Sequence, residues 1–166
     1  MTVTAVEKDT TARTMRITAK FDAPVERVWQ LWSEPRLLER WWGPPTYPAT
    51  FDRYDLAPGA DVAYHMTGPD GDVARGWWKV LVVEAPHRIE LEDGFADGAG
   101  EPNADMPTMH MRVDIAATDG GTQMSITTTY PSTEAMEQVL AMGMDEGMSL
   151  AIGQIDGILA ELAATS

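Results

Sequence analysis

Apolar and polar positions change period several times along the chain, and each change marks an element. Behind Pro24, whose missing N–H is not needed in a first helical turn, Val25, Val28, Trp29 and Trp32 recur at helical spacing on one face. A second short helix follows, in which Leu37 and Leu38 pair with Trp41 and Trp42 four residues on; Ser33 is its expected cap and Gly43-Pro44 its end. Period two then takes over. Thr2 to Val6 and Thr14 to Phe21 are expected to pair as a hairpin around Asp9-Thr-Thr11. Tyr47 to Tyr54, Ala60 to Thr67, Val73 to Glu84, Arg88 to Glu92, Thr108 to Ala117 and Gln123 to Tyr130 are the remaining expected strands. Their short Pro-Gly, Pro-Asp-Gly, Ala-Pro-His and Asp-Gly-Gly connections favour antiparallel neighbours.

Met109, Met111, Val113 and Ile115 alternate with His110, Arg112 and Asp114, and Met124, Ile126, Thr128 and Tyr130 repeat the pattern, so one sheet face is apolar and needs a cover. From Thr133 to Leu162 the chain has no Pro, and Leu140, Met144, Met148, Ala151, Ile155, Ile158 and Leu162 keep a period near 3.6. One long helix is predicted, about 45 Å at roughly 1.5 Å per residue, the only element long enough to serve. Gly143, Gly147, Gly153 and Gly157 fall within about 120° of one another on it and predict a smooth stripe. Close packing on the sheet is the first expectation for that stripe, and room for a ligand or for helix movement the second. The expected class is α+β: a curved antiparallel sheet around a long C-terminal helix, with two short helices near the N-terminus.

A length of 166 residues fits one domain, with residues 1–13 as an extension able to add a hairpin strand. With no Cys, there is no disulfide, thiolate nucleophile or Cys-ligated metal. Met1 to Arg13 carries Glu7, Lys8, Asp9 and Arg13 without an apolar run, unlike a secretory signal, and no apolar stretch is long enough to span a bilayer. A cytoplasmic protein is expected. The balance of 26 acidic against 12 basic residues, formally −14, repels phosphate backbones and anionic lipid, so neither nucleic acid nor a membrane is an expected partner.

Candidate chemistry is sparse. The three imidazoles, His65, His87 and His110, do not stand at metal-ligand spacing, and neither a Gly-x-Ser-x-Gly elbow nor a Gly-x-Gly-x-x-Gly loop occurs. No catalytic residue, metal or cofactor is therefore expected. Asp93, Asp97, Glu101 and Asp105 lie in or beside a Gly- and Ala-rich stretch, Gly94 to Asp105, and read as solvated charge. Methionine is informative as a group: Met66, Met109, Met111, Met124, Met144 and Met148 fall on predicted interior faces, and thioethers repack easily around a guest. With Trp41, Trp42, Tyr64 and Tyr130 they form the expected lining of a cavity for an apolar or aromatic small molecule. Trp41, Trp42 and the acidic loop are expected to close it.

Seven segments stand in an order that resembles one family: Phe21-Asp-Ala-Pro-Val-Glu-Arg-Val-Trp29, Trp41-Trp-Gly-Pro44, Asp55-Leu-Ala-Pro-Gly59, Met66-Thr-Gly-Pro-Asp-Gly71, Ala85-Pro-His-Arg-Ile89, Asp119-Gly-Gly-Thr122 and Gly143-Met-Asp-Glu-Gly147. Together they resemble the bacterial homologues of the heat-shock-chaperone ATPase activator, in the START-related and birch-pollen-allergen-like superfamily known as SRPBCC. The likeness covers Thr14 to Leu162; the family pattern usually has Trp where this chain has Met148, an apolar filler of another shape. The resemblance implies a helix-grip fold with a cavity between sheet and helix. It carries three expectations of function: a non-enzymatic carrier or sensor, a co-chaperone-like protein anchored on a chaperone by exposed Trp41 and Trp42, or a cyclase- or dehydratase-like enzyme using Tyr64 and Tyr130. A monomer or homodimer is expected in each case.

Overall fold

Every period-two segment becomes a strand, and all the strands join one sheet. In the computed structural model, which describes residues 3–165, the elements are β1 (Val3–Asp9), β2 (Thr14–Phe21), α1 (Val25–Ser33), α2 (Pro35–Leu38), β3 (Ala49–Arg53), β4 (Asp61–Thr67) and β5 (Val73–Glu84). There follow β6 (Arg88–Ala96), β7 (Met109–Thr118), β8 (Gly121–Thr129), α3 (Thr133–Ala141), α4 (Met144–Gly153) and α5 (Ile155–Thr165). The first expected strand is present, although its Thr2 lies outside the described residues. Strand order is β1-β2-β8-β7-β6-β5-β4-β3, antiparallel throughout. From β3 to β8 the chain is a meander, and α1 and α2 carry it from β2 across to the far edge.

Register lines up the apolar face. Ile17 stands opposite Ile126, Ile126 opposite Val113, and Val113 opposite Ile89, all essentially inaccessible. Register shifts between Phe51 and Arg53 and between Val80 and Val82 bend the sheet, as bulges do. Onto the concave face come Ala135, Met136 and Val139 of α3, Met148, Ala151 and Ile152 of α4, and Ile155, Ile158 and Leu159 of α5. Sheet and helices share a single buried cluster.

The C-terminal helical region departs from the single rod that periodicity predicts. Gly143 has φ +85°, a conformation that costs a residue with a Cβ, so α3 stops and α4 starts there. Gln154 makes a second break; its side-chain amide donates to the Gly43 carbonyl at 2.7 Å and fastens this helix to the tryptophan corner. The glycine stripe is not a packing surface. A methyl at Gly143, Gly147, Gly153 or Gly157 would meet nothing within 4 Å.

The N-terminal helices also differ in detail. On α1 the buried residues are Val25, Val28, Leu31 and Trp32, because the buried arc is centred between Val28 and Trp32; Trp29 falls at its edge and is half-buried. Ser33 is the last residue of α1, not a cap: Glu34 holds that position and Pro35 opens α2. Among the described residues no helix is long and apolar enough to cross a membrane.

Candidate functional site

The tryptophans that dominate the sequence meet in the interior. Trp32, on α1, packs edge-on against Trp41 at 4.8 Å between ring centroids and against Trp42 at 5.8 Å. Trp42 in turn meets Trp78 of β5 at 4.8 Å and Tyr64 of β4 at 6.0 Å, again near perpendicular. Pairs of this geometry are each worth about 0.5–1.5 kcal/mol beyond their burial. The Trp41 indole N–H donates to the Leu31 carbonyl at 3.0 Å and that of Trp32 to the Met124 sulfur at 3.3 Å. Trp41 is inaccessible and Trp42 only 4% exposed, so neither is the surface anchor for a partner that the sequence suggested. Their faces are spent on each other.

Where this aromatic slab ends, a cavity of about 260 Å³ begins. Its sheet-side wall is Tyr64 and Met66 of β4, Asp93, Gly94 and Phe95 of β6, and Met109 of β7. Its helix-side wall is Val139 of α3, Met144, Gly147 and Met148 of α4, and the break at Met142 and Gly143, with Trp42 and Pro44 completing the rim. The break in the helix therefore opens onto the cavity, and Gly147 leaves space where a larger residue would project.

Six of the ten expected lining residues come together here: Trp42, Tyr64, Met66, Met109, Met144 and Met148. The other four lie behind the wall. Trp41 sits beneath Trp42; Met111 is inaccessible within the sheet face; Met124 is buried against Trp32; and Tyr130 is 1% exposed, its hydroxyl directed at the Met144 sulfur at 3.7 Å. Burial, helped by the charges of Asp145 and Asp93, pushes the Tyr130 hydroxyl up to about 12. The acidic loop is not the expected cover either. It folds on itself, with the Asp97 carboxylate accepting from the backbone of Ala99 and Glu101 and the Asn103 N–H donating to the Phe95 carbonyl. Of that loop only Gly94 and Phe95, both now in β6, reach the cavity.

Asp93 is the residue the sequence reading misplaced. It is 7% exposed, points the same way as Ile89 and Leu91, and faces Trp78 on one neighbouring strand and Met109 on the other. Strand parity carried one residue past Glu92, in step with Ile89 and Leu91, would have found it. The Tyr64 hydroxyl donates to the Asp93 Oδ1 at 3.1 Å. Desolvation pushes the Asp93 carboxyl up to about 7, against the smaller opposing effect of Tyr64 and of the nearby Trp78 N–H. Burial first, and then the Asp93 charge, raise the Tyr64 hydroxyl well above its ordinary value. The indole N–H groups of Trp42 and Trp78 are both buried without a hydrogen-bond partner of proper geometry. The polar centre thus stays small inside an apolar wall.

Gly76 makes the arrangement feasible. It lies opposite Tyr64 in register, and a methyl there would overlap the end of the phenol ring. Gly76→Ala should therefore push Tyr64 out of line with Asp93 and lower stability by about 1–3 kcal/mol, the usual range for overpacking. Thermal denaturation checks the loss, and an unchanged midpoint would show that the ring moves aside freely.

The imidazoles remain peripheral. His65 pairs with Asp52 at 2.8 Å, His110 with Glu90 at 3.2 Å, and His87 with the Ile115 carbonyl at 2.9 Å. None of the three lines the cavity.

A bent antiparallel sheet holding a C-terminal helix, with a cavity between them, defines a helix-grip protein. A family model described as Activator of Hsp90 ATPase homolog 1-like protein matches residues 22–160. Among solved structures, protein Ms6760 from Mycobacterium smegmatis is 48% identical, with 95% of this chain and 96% of that one covered and a TM-score of 0.88. A protein from Arthrobacter aurescens is 49% identical over 96% and 93% of the two chains, with a TM-score of 0.93. One from Staphylococcus epidermidis is 27% identical over 95% and 94%, with a TM-score of 0.82. No curated protein matches the chain by sequence. The chain belongs to the Activator of Hsp90 ATPase homolog 1-like family.

Proposed function

We propose that this chain is a cytoplasmic carrier or sensor that holds a small apolar or aromatic molecule in the cavity between sheet and helix. The observation that carries the reading is the wall itself: thioethers and aromatic rings around about 260 Å³, interrupted by a single Tyr64–Asp93 pair. Binding sites for small molecules share that composition, an apolar lining with a few placed polar groups. Size narrows the guest. A dry cavity of about 150 Å³ takes benzene, and drug-sized ligands occupy roughly 300–1,000 Å³. One or two rings fit, whereas a sterol or flavonoid would require the methionine walls to repack.

The chaperone-docking reading loses its proposed anchors, because Trp41 and Trp42 are interior. Of the two tyrosines an enzyme would use, Tyr64 reaches the cavity and Tyr130 does not. Neither alternative draws on an observation of equal weight.

A two-ring dye supplies the test. The neutral dye 1-naphthylamine, excited at wavelengths that tryptophan and indole do not absorb, should change its emission saturably on binding, with indole displacing it competitively. A linear, unsaturable dye response that indole leaves unchanged would remove the carrier reading.

A further inference from the structure

Most acids on the sheet surface have a cation beside them, and the buried one does not. Glu90 meets Arg88 and His110, Asp114 meets Arg112, Asp61 meets Lys79, and Asp52 meets His65. Asp93, 7% exposed, has only neutral donors beside it, the Tyr64 hydroxyl at 3.1 Å and the nearby Trp78 indole N–H. Around it stand Trp78 from β5, Met109 from β7, Tyr64 from β4, Trp42 from the segment after α2, and Met144 and Met148 from α4. Among the described residues Tyr64 is the only other titratable group in the cavity wall, and Tyr130 lies behind Met144. Among the described residues no Lys, Arg or His lines the cavity. Buried carboxylates are ordinarily paired with a cation or neutralised, because the desolvated charge is costly alone.

We infer that the cavity is selective for a small aromatic amine, bound as its ammonium ion with an N–H donated to Asp93 and its ring among Trp42, Phe95 and the methionine side chains. The inference rests on the cavity-binding reading above and adds the class of guest. An ammonium supplies the counter-charge that the fold withholds, and aromatic neighbours such as Trp42, Tyr64 and Phe95 add cation–π attraction where a ring face meets the cation. A carboxylate ligand is opposed twice, by Asp93 inside and by the net charge of −14 outside. A neutral alcohol gains a hydrogen bond but no charge pairing. Burial places the empty site near half-protonation at neutral pH, with the carboxyl at about 7. Arrival of an ammonium favours the ionised form, so binding releases a proton from that fraction of molecules.

Three ligands that share one ring and differ in one group isolate the effect: phenethylamine, phenethyl alcohol and phenylacetate, titrated calorimetrically into the full chain near pH 8. Salt at physiological strength screens attraction by the acidic surface. The amine should bind at least about tenfold more tightly than the alcohol, and phenylacetate should not saturate. In Asp93→Asn the ratio of amine to alcohol affinity should fall to about one. If wild type binds the alcohol or phenylacetate as tightly as the amine, or Asp93→Asn keeps the amine preference, the inference is overturned while the cavity reading stands. If none of the three, nor indole, saturates, both fall together. The wild-type series needs no substitution, so misfolding of the variant cannot obscure the answer.

Discussion

Asp93→Asn should raise the thermal midpoint near pH 8 and lose that advantage as the pH falls toward about 4. Burial lifts the carboxyl of the folded protein to about 7 from the 3.8 it has in an unfolded chain. Between those values the folded state holds more protons than the unfolded state, so the wild type loses stability as pH rises through that window. The native fold is best served with Asp93 neutral. A shift of about three units corresponds to at most about 4 kcal/mol near pH 8, and Asn, which cannot ionise yet can still accept from Tyr64, recovers much of it. Subtracting the wild-type curve from the variant curve removes the common behaviour of the other carboxylates. A difference that stays flat from about pH 4 to 8 would show that the ionised group is tolerated in the fold at no cost. This liability is also what makes the site receptive to a cation.

Trp78→Ala should cost about 3–5 kcal/mol, the range for deleting a large buried ring. Trp78 is inaccessible and lies within 6.2 Å, centroid to centroid, of Trp32, Trp42, Phe51, Tyr54 and Tyr64. It touches both the rings that form the slab and those that face the cavity. At roughly 2–4 °C per kcal/mol for a chain of this size, the midpoint should drop by about 6–20 °C. Trp78→Phe should cost much less, because it keeps a ring in the slab and gives up an indole N–H that makes no well-formed hydrogen bond. Equal losses in the two variants would mean that the indole N–H, not the packed ring, carries the contribution. Dye binding by Trp78→Ala, measured well below its midpoint, should weaken too, since Trp42 and Tyr64 lose their shared support.

Local pattern was enough for the elements because period two and period 3.6 are properties of neighbouring residues. The eight strands, their antiparallel order after β3, the two short N-terminal helices and the helical cover are all legible in the alternation of Met109 to Ile115 and the spacing of Leu140 to Leu162. The same parity placed Tyr64, Met66 and Met109 on the inner face, and they do meet at the cavity. Asp93 escaped because its composition argued against its position: an acid beside a Gly-rich acidic loop reads as solvent-exposed, yet β6 continues through it to Ala96.

What sequence alone determined, then, is the order of the elements and which face of each is apolar, since those follow from side-chain direction along a regular backbone. Only the tertiary structure decided which apolar residues pack and which border empty space. Met111 and Met109 share a strand and a face, yet one is sealed against neighbours and the other opens on the cavity, because the helical cover breaks at Gly143 above the latter. Burial of Trp41 and Trp42, and isolation of Asp93 from any cation, likewise depend on what distant strands and helices bring alongside. Desolvation and charge pairing are sums over neighbours in space, and a chain read residue by residue does not contain them.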